Sequence, residues 1–434
     1  MSVVYAADWV IPVDGPPVRD GGVQVDGERI VAVGPADDLA GERRDHPGCV
    51  ILPGLVNAHT HLEYATFAGF GDGLPFGQWI DVHIARKRLI GFDQLLDSAR
   101  LGAAECLASG VTTVADASFS GAAALACAEA GLRGIVHLEV FGADAAVARE
   151  RFAGIQARVD GSLDARVRLG VSPHAPYSTG AAVYGAALEL GIPVQTHVAE
   201  SDDEAEFMAR GSGRVAELAA WAGIESPGAT SVRHLVACGA LRAGVSAVHC
   251  VTPDADEIEL LAHSGASVVH CPRSNALLGC GIAPVRAMLD AGIPVGLGTD
   301  SPASAPSFDL LEEARSALEL ARARERRPDA LSAPEALELA TLGGARALGL
   351  EREIGSLTPG KLADLAVVDL AGALHQPIED PVAATVFAGS ASRVSRTILS
   401  GEIRYERGGF AWPEVREAAS AARALMLASA PTPR

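Results

Sequence analysis

Between residues 53 and 348, short apolar runs alternate with alanine-rich stretches, and each run ends on a polar side chain. The runs close near His61, Asp116, Glu139, His174, His197, His249, His270 and Asp300, and segments 95–108, 181–190, 204–222 and 284–291 between them read as helices. Eight such units predict a parallel sheet closed into a (β/α)8 barrel of the TIM type, with its working face at the C-terminal strand ends. An open doubly wound sheet is the competing arrangement. Outside this block the pattern changes to period two. Residues 3–52 alternate β-like runs with turns, including a tight hairpin at Asp26-Gly27, and similar runs return at 365–369 and 394–405. The expected organisation is a small β-sandwich built from 1–52 and 349–434 around a barrel spanning 53–348. Helices are expected over 334–348 and 415–427, the latter before a Pro-Thr-Pro tail.

Composition narrows the class. The 434 residues are 49% hydrophobic, 5% aromatic and 21% charged, and no apolar stretch approaches the roughly 20 residues that cross a bilayer. A membrane partner is not expected. The first residues lack the basic start and apolar core of a secretory signal, so a cytoplasmic location is expected. Seven cysteines scattered without a CxxC pair predict free thiols. A net charge of −19 repels phosphate backbones and argues against nucleic-acid polymers as partners.

The chemistry lies in four short segments: Pro53-Gly-Leu-Val-Asn-Ala-His59-Thr-His61, Gln195-Thr-His197-Val-Ala-Glu200, Ala247-Val-His249 and Gly298-Thr-Asp300. His59 and His61 are two apart, so a strand sends both to one side. His59, His61, His197 and Asp300 fall at strand ends one, five and eight, and strand eight of a closed barrel neighbours strand one. Three imidazoles and a carboxylate, with one position left for water, suit one divalent metal per chain: Zn²⁺ first, Fe²⁺ or Mn²⁺ as alternatives. His61-Leu-Glu63 also satisfies half of the H-x-E…P-C-x-x-C pattern of another zinc deaminase family, but the chain has no Pro-Cys pair.

With these motifs the chain resembles the amidohydrolase superfamily along nearly its whole length. Binuclear members bridge two metals with a lysine or glutamate from strand four; that strand end here reads Gly170-Val-Ser-Pro-His174. The resemblance therefore implies the mononuclear deaminase branch, and related barrels imply a homodimer. It also implies roles. Asp300 accepts a proton from the attacking water, Glu200 protonates a ring nitrogen, and His249 polarises the water from the side. His-Thr-His-Leu-Glu and the later Cys271-Pro-Arg-Ser-Asn275 resemble the aminodeoxyfutalosine deaminases of an alternative menaquinone route. That likeness implies conversion of 6-amino-6-deoxyfutalosine to futalosine. Substrate contacts are expected from Glu63 (ribose), His174 (base or sugar), Arg273 (the benzoate carboxylate, with Arg86 and Arg88 as rivals), Ser274 and Trp79 (the aromatic group). The alternatives are deamination of S-adenosylhomocysteine, methylthioadenosine or adenosine, hydrolysis of a triazine or cyclic amide, or a catalytically silent barrel that only binds.

Overall fold

The eight parallel strands Leu55–Thr60, Val111–Ser118, Arg133–Val140, Val167–Pro173, Val194–Val198, Val245–His249, Ser267–His270 and Val295–Leu297 form the expected barrel. This computed structural model describes residues 2–372, 374, 376–408 and 412–428. Closure is direct: Thr60 bridges Asp300 in parallel, and the Asp300 amide donates to the His59 carbonyl at 3.0 Å. Gly298 permits the approach, because a Cβ there would lie 2.8 Å from that of His59. Valine, leucine and alanine fill these strands because helices cover their outer faces.

The two chain ends meet in a seven-stranded sheet. Its order is Glu402–Glu406, Val394–Leu399, Leu365–Asp369, Glu42–Pro53, Val3–Val10, Val18–Asp26 and Arg29–Pro35. The Asp26-Gly27 turn falls as read, with Gly27 at φ 57°. Arg29 at one edge bridges Leu362, curling the sheet around Tyr5, Val10, Val23, Ile30, Ile51, Leu365, Val367 and Ile398. Glu42–Pro53 leads straight into the first barrel strand, fixing the two bodies to each other.

Two helices differ from expectation. The stretch 204–222 is broken into Asp202–Arg210 and Ala216–Ala222, since Gly211 (φ 70°) and Gly213 (φ 94°) adopt left-handed conformations that no helix continues through. The stretch 334–348 starts at the Ser332 cap as Ala333–Glu338, widens into a π-type turn over Leu339–Gly343 and finishes as Gly344–Ala347. The last helix, Pro413–Ala428, packs on the barrel mouth. Its Arg423 donates to the Thr66 and Ala68 carbonyls, and Met426 is buried against Phe67 and Phe70. The Pro-Thr-Pro tail lies outside the described residues. All seven cysteines are free thiols, and no helix among the described residues is long and apolar enough to cross a membrane.

Candidate active site

At the C-terminal barrel face, one ligand atom each from His59, His61 and His197 lie within 4.8 Å of one another, and a second such group is formed by Glu200, His249 and Asp300. The two groups adjoin. Asp300 Oδ1 is 3.5 Å from Nε2 of both His59 and His61, and His249 Nε2 is 3.5 Å from Glu200 Oε1. Every imidazole is oriented through its other nitrogen. Nδ1 of His59 donates to Gln195 Oε1 (2.7 Å), that of His61 to the Ala117 carbonyl (2.8 Å), that of His197 to the His174 carbonyl (2.7 Å) and that of His249 to Asn275 Oδ1 (2.9 Å). These bonds fix the tautomers so that the Nε2 lone pairs converge on one point.

A metal fits this donor set. Nε2 of His59 is fully buried with no protein hydrogen-bond partner, an orphaned acceptor that a cation would satisfy. Burial and the neighbouring imidazoles hold His61 down to about 3 and His197 well below the ordinary histidine value, leaving both neutral, as ligation requires. Gln195 is itself held, its Nε2 donating to the Ala58 carbonyl at 3.0 Å. Replacing Gln195 with leucine should therefore weaken metal affinity roughly 10–100-fold with little change in fold. Chelator competition would measure it, and an unchanged affinity would make Gln195 a packing residue only.

The strand ends carrying these groups are locally strained. Ala199 (φ 53°), His249 (φ 73°), Cys250 (φ 45°) and Asp300 (φ 57°) are left-handed without being glycine, which costs on the order of 1–3 kcal/mol each and clusters where side chains must be aimed. Glu204 braces one of these turns, accepting from the amides of Ala199 (2.8 Å) and Glu200 (2.9 Å).

The two carboxylates across the site are pushed in opposite directions. Burial drives Glu200 well above the ordinary glutamate value, with the charge of Asp300 adding to it. Burial also raises Asp300, but the imidazoles of His59, His61 and His249 around it outweigh that and hold it well below. Asp300 Oδ2 accepts from Ser274 Oγ (2.6 Å) and Ser304 Oγ (2.9 Å). A protonated acid thus faces an ionised base, the arrangement that divides acid and base duties between two carboxyl groups.

Above the cluster opens a cavity of about 650 Å³. Strand ends five, six and eight supply His197, Glu200, His249, Asp300 and Ser301; Phe119, Glu139, Phe141 and His174 come from two, three and four. The helix Phe76–Lys87 roofs it with Phe76, Trp79, Ile80, Ile84 and Lys87, and Leu218 and Trp221 stand at the rim.

Of the substrate residues expected from sequence, His174 and Trp79 line this cavity. His174 Nδ1 pairs with Ser178 Oγ at 2.7 Å, and Trp79 packs on His83 with ring centres 4.3 Å apart. Three expectations are corrected. Arg273 does not reach the cavity: its guanidinium pairs with Glu312 and with Glu313 (2.8 Å) and donates to Ser307 Oγ (2.9 Å), so its charge is already matched. Ser274 holds Asp300 and does not face substrate space. Glu63 is buried beneath the site, does not line the cavity, and accepts from the Ser118 and Ser120 hydroxyls and the amides of Ser120 and Ala122. It secures the start of the helix Ala122–Ala130, away from the space a ribose would occupy.

Lys87, Glu139, Phe119 and Phe141 were not singled out as site residues from the sequence. Glu139 had a signal, an acid closing the apolar run Gly134-Ile-Val-His-Leu-Glu. Burial raises it to about 7, with Lys87 pulling the other way. Lys87 had only its rarity as one of two lysines.

Residues 50–404 match the model of the amidohydrolase family. The 5-methylthioadenosine/S-adenosylhomocysteine deaminase of Moorella thermoacetica is 36% identical over 414 residues, covering 92% of this chain and 93% of its own. That of Halobacterium salinarum is 36% identical over 402 residues, covering 89% and 88%. Among solved structures, a zinc-bound adenosine deaminase from Xanthomonas campestris superposes with a TM-score of 0.86 at 29% identity, over 98% of this chain and 97% of that one. Atrazine chlorohydrolase from Arthrobacter aurescens, at 24% identity, TM-score 0.82 and coverage of 98% and 100%, shares the fold.

Proposed function

The chain belongs to the amidohydrolase family and is a hydrolase acting on C–N bonds, and on that footing we propose that it deaminates an adenine nucleoside at C6, releasing ammonia. The substrates favoured are 5′-methylthioadenosine and S-adenosylhomocysteine, after the deaminases it resembles at 36% identity over 92% and 89% of its length. The expectation of aminodeoxyfutalosine leaned on the 271–275 segment, and the engagement of Arg273 with Glu312 and Glu313 removes that support. The observation that carries the deaminase reading is the opposed pair of Glu200 and Asp300 beside three converging imidazoles.

His59, His61, His197 and Asp300 would hold the metal, Zn²⁺ by preference for three imidazoles and a carboxylate. When bound, it lowers the pKa of a coordinated water towards ~7. Asp300 takes one proton from the attacking water through a carboxylate oxygen as the water's oxygen bonds to C6. Glu200, protonated at rest, gives its proton to N1 of the ring, so the developing negative charge is quenched as it forms. His249 is held to about 4 by burial, and its Nδ1 is committed to Asn275, so a neutral Nε2 accepts a hydrogen bond from the water and orients it. The cycle then closes. Asp300 returns its proton to the exocyclic amine, the C6–N bond breaks to release ammonia, and the remaining hydroxyl proton passes to Glu200 as the 6-oxo group forms. His174, held to about 3 by burial and the nearby imidazoles, stays neutral against the base or sugar. Trp79 and Phe76 cover the substrate and exclude water.

Ammonia release from methylthioadenosine, S-adenosylhomocysteine, adenosine, aminodeoxyfutalosine, cytosine and guanine tests this reading. The highest kcat/KM is expected among the adenine nucleosides. A preference for cytosine or guanine would overturn the nucleoside assignment, and no ammonia from any of them would overturn deamination.

A further inference from the structure

The reactive edge of a bound adenine must face Glu200, His249 and Asp300, at strand ends six and eight and just past five, so its sugar and 5′ substituent extend towards strand ends two, three and four. On that side the cavity holds a cation that the chemistry above does not use. Lys87, the last residue of the roof helix, directs its ammonium inward: Nζ donates to Tyr64 Oη at 3.2 Å and stands 3.7 Å from the centre of the Phe119 ring. Among the described residues no carboxylate forms an ion pair with it within 4.0 Å. Two of its three protons are uncommitted.

Arg88 lines the same cavity from its exposed side, and Arg151 adds positive charge without adding a donor. Arg151 lies 4.6 Å from the Phe119 ring centre, but its Nε donates to the Glu139 carbonyl (2.8 Å) and its Nη2 to that of Phe119 (2.7 Å). The carboxylate facing this corner of the cavity is Glu139, buried and pushed upward by that burial, while Glu63 lies outside the lining and accepts from Ser118, Ser120 and Ala122. A partly desolvated ammonium among aromatic rings is costly unless an anion joins it.

We propose that Lys87 binds a carboxylate carried on the 5′ substituent of the nucleoside, so that the site selects carboxylate-bearing adenine nucleosides over uncharged ones. This rests on the deaminase reading and narrows its substrate class. A carboxylate suits the corner better than a phosphate. One ammonium balances one negative charge, and a dianion would meet more repulsion from Glu139 than a carboxylate does. The aromatic walls also accommodate a hydrocarbon carrying the acid.

The test compares kcat/KM of the wild type, Lys87→Met and Lys87→Arg on S-adenosylhomocysteine (an amino-acid carboxylate), aminodeoxyfutalosine (an aryl carboxylate), methylthioadenosine (no acid) and 5′-AMP (a phosphate). Lys87→Met is expected to lower the rate of at least one carboxylated substrate relative to methylthioadenosine by roughly 10–100-fold, chiefly through KM. Lys87→Arg should keep most of that preference, which a residue needed only to hold the roof helix would not predict. The more affected carboxylate identifies the natural extension. A ratio that moves by less than threefold, or equal losses on methylthioadenosine, overturns the proposal while leaving deamination intact, and a selective loss on 5′-AMP overturns it in favour of a phosphate. A wild type that deaminates none of the four overturns the underlying reading along with it.

Discussion

Replacing Glu200 with glutamine is expected to cut kcat by ~10²–10⁴-fold while leaving the metal in place, the range that a positioned general acid contributes. The side chain is buried beside His249 and held above the ordinary glutamate value, and glutamine preserves its shape but cannot deliver a proton to N1. Its backbone position is secured by Glu204, whose carboxylate takes the Ala199 and Glu200 amides, so the substitution leaves the turn intact. Steady-state rates paired with elemental analysis separate the two effects. Near-normal kcat with full metal content would shift the proton transfer to another group, with His249 next in line at 3.5 Å.

The barrel and its donor residues were legible because they follow from short-range rules. The spacing of His59 and His61 fixes them on one strand face, and the glycines and polar closures of the apolar runs mark strand ends. The bracing residues were less legible. Gln195 and Asn275 stand inside two of the motifs, but their bonds to His59 and His249 form only because separate barrel units come together, which no local pattern reveals. Arg273 misled because a sequence shows a charge without its partner; Glu312 and Glu313 lie about forty positions on and neutralise it from a neighbouring helix. Glu63 misled for a related reason. Its neighbour His61 faces the centre, but the chain turns into the short helix Leu62–Phe67 directly afterwards, and the acid is carried beneath the site to the serines at strand end two. Lys87 carried no periodic signal because its helix is a lid, not a barrel unit, and its role depends on which way the roof folds over the mouth.

Removing the metal is expected to abolish deamination, and one equivalent of Zn²⁺ per chain should restore it. The donors form one convergent set. His59, His61 and His197 offer Nε2 to one point, and Asp300 Oδ1 stands 3.5 Å from two of them. The strand-four end offers His174, whose Nδ1 is taken by Ser178 and whose carbonyl holds His197, so it supplies no bridging carboxylate or lysine for a second ion. Metal loss should also lower Tm, because a ligand bound by the folded state alone stabilises it by mass action, and the strained turns at His249 and Asp300 then lose an anchor. Titration of chelated protein with Zn²⁺, following ammonia release and thermal melting together, should reach both plateaus at one equivalent. His197→Ala is expected to miss both plateaus at that concentration, since it removes a donor whose Nδ1 also ties strand five to strand four. Full activity in the stripped protein would overturn the metal assignment, and plateaus at two equivalents would overturn the mononuclear one.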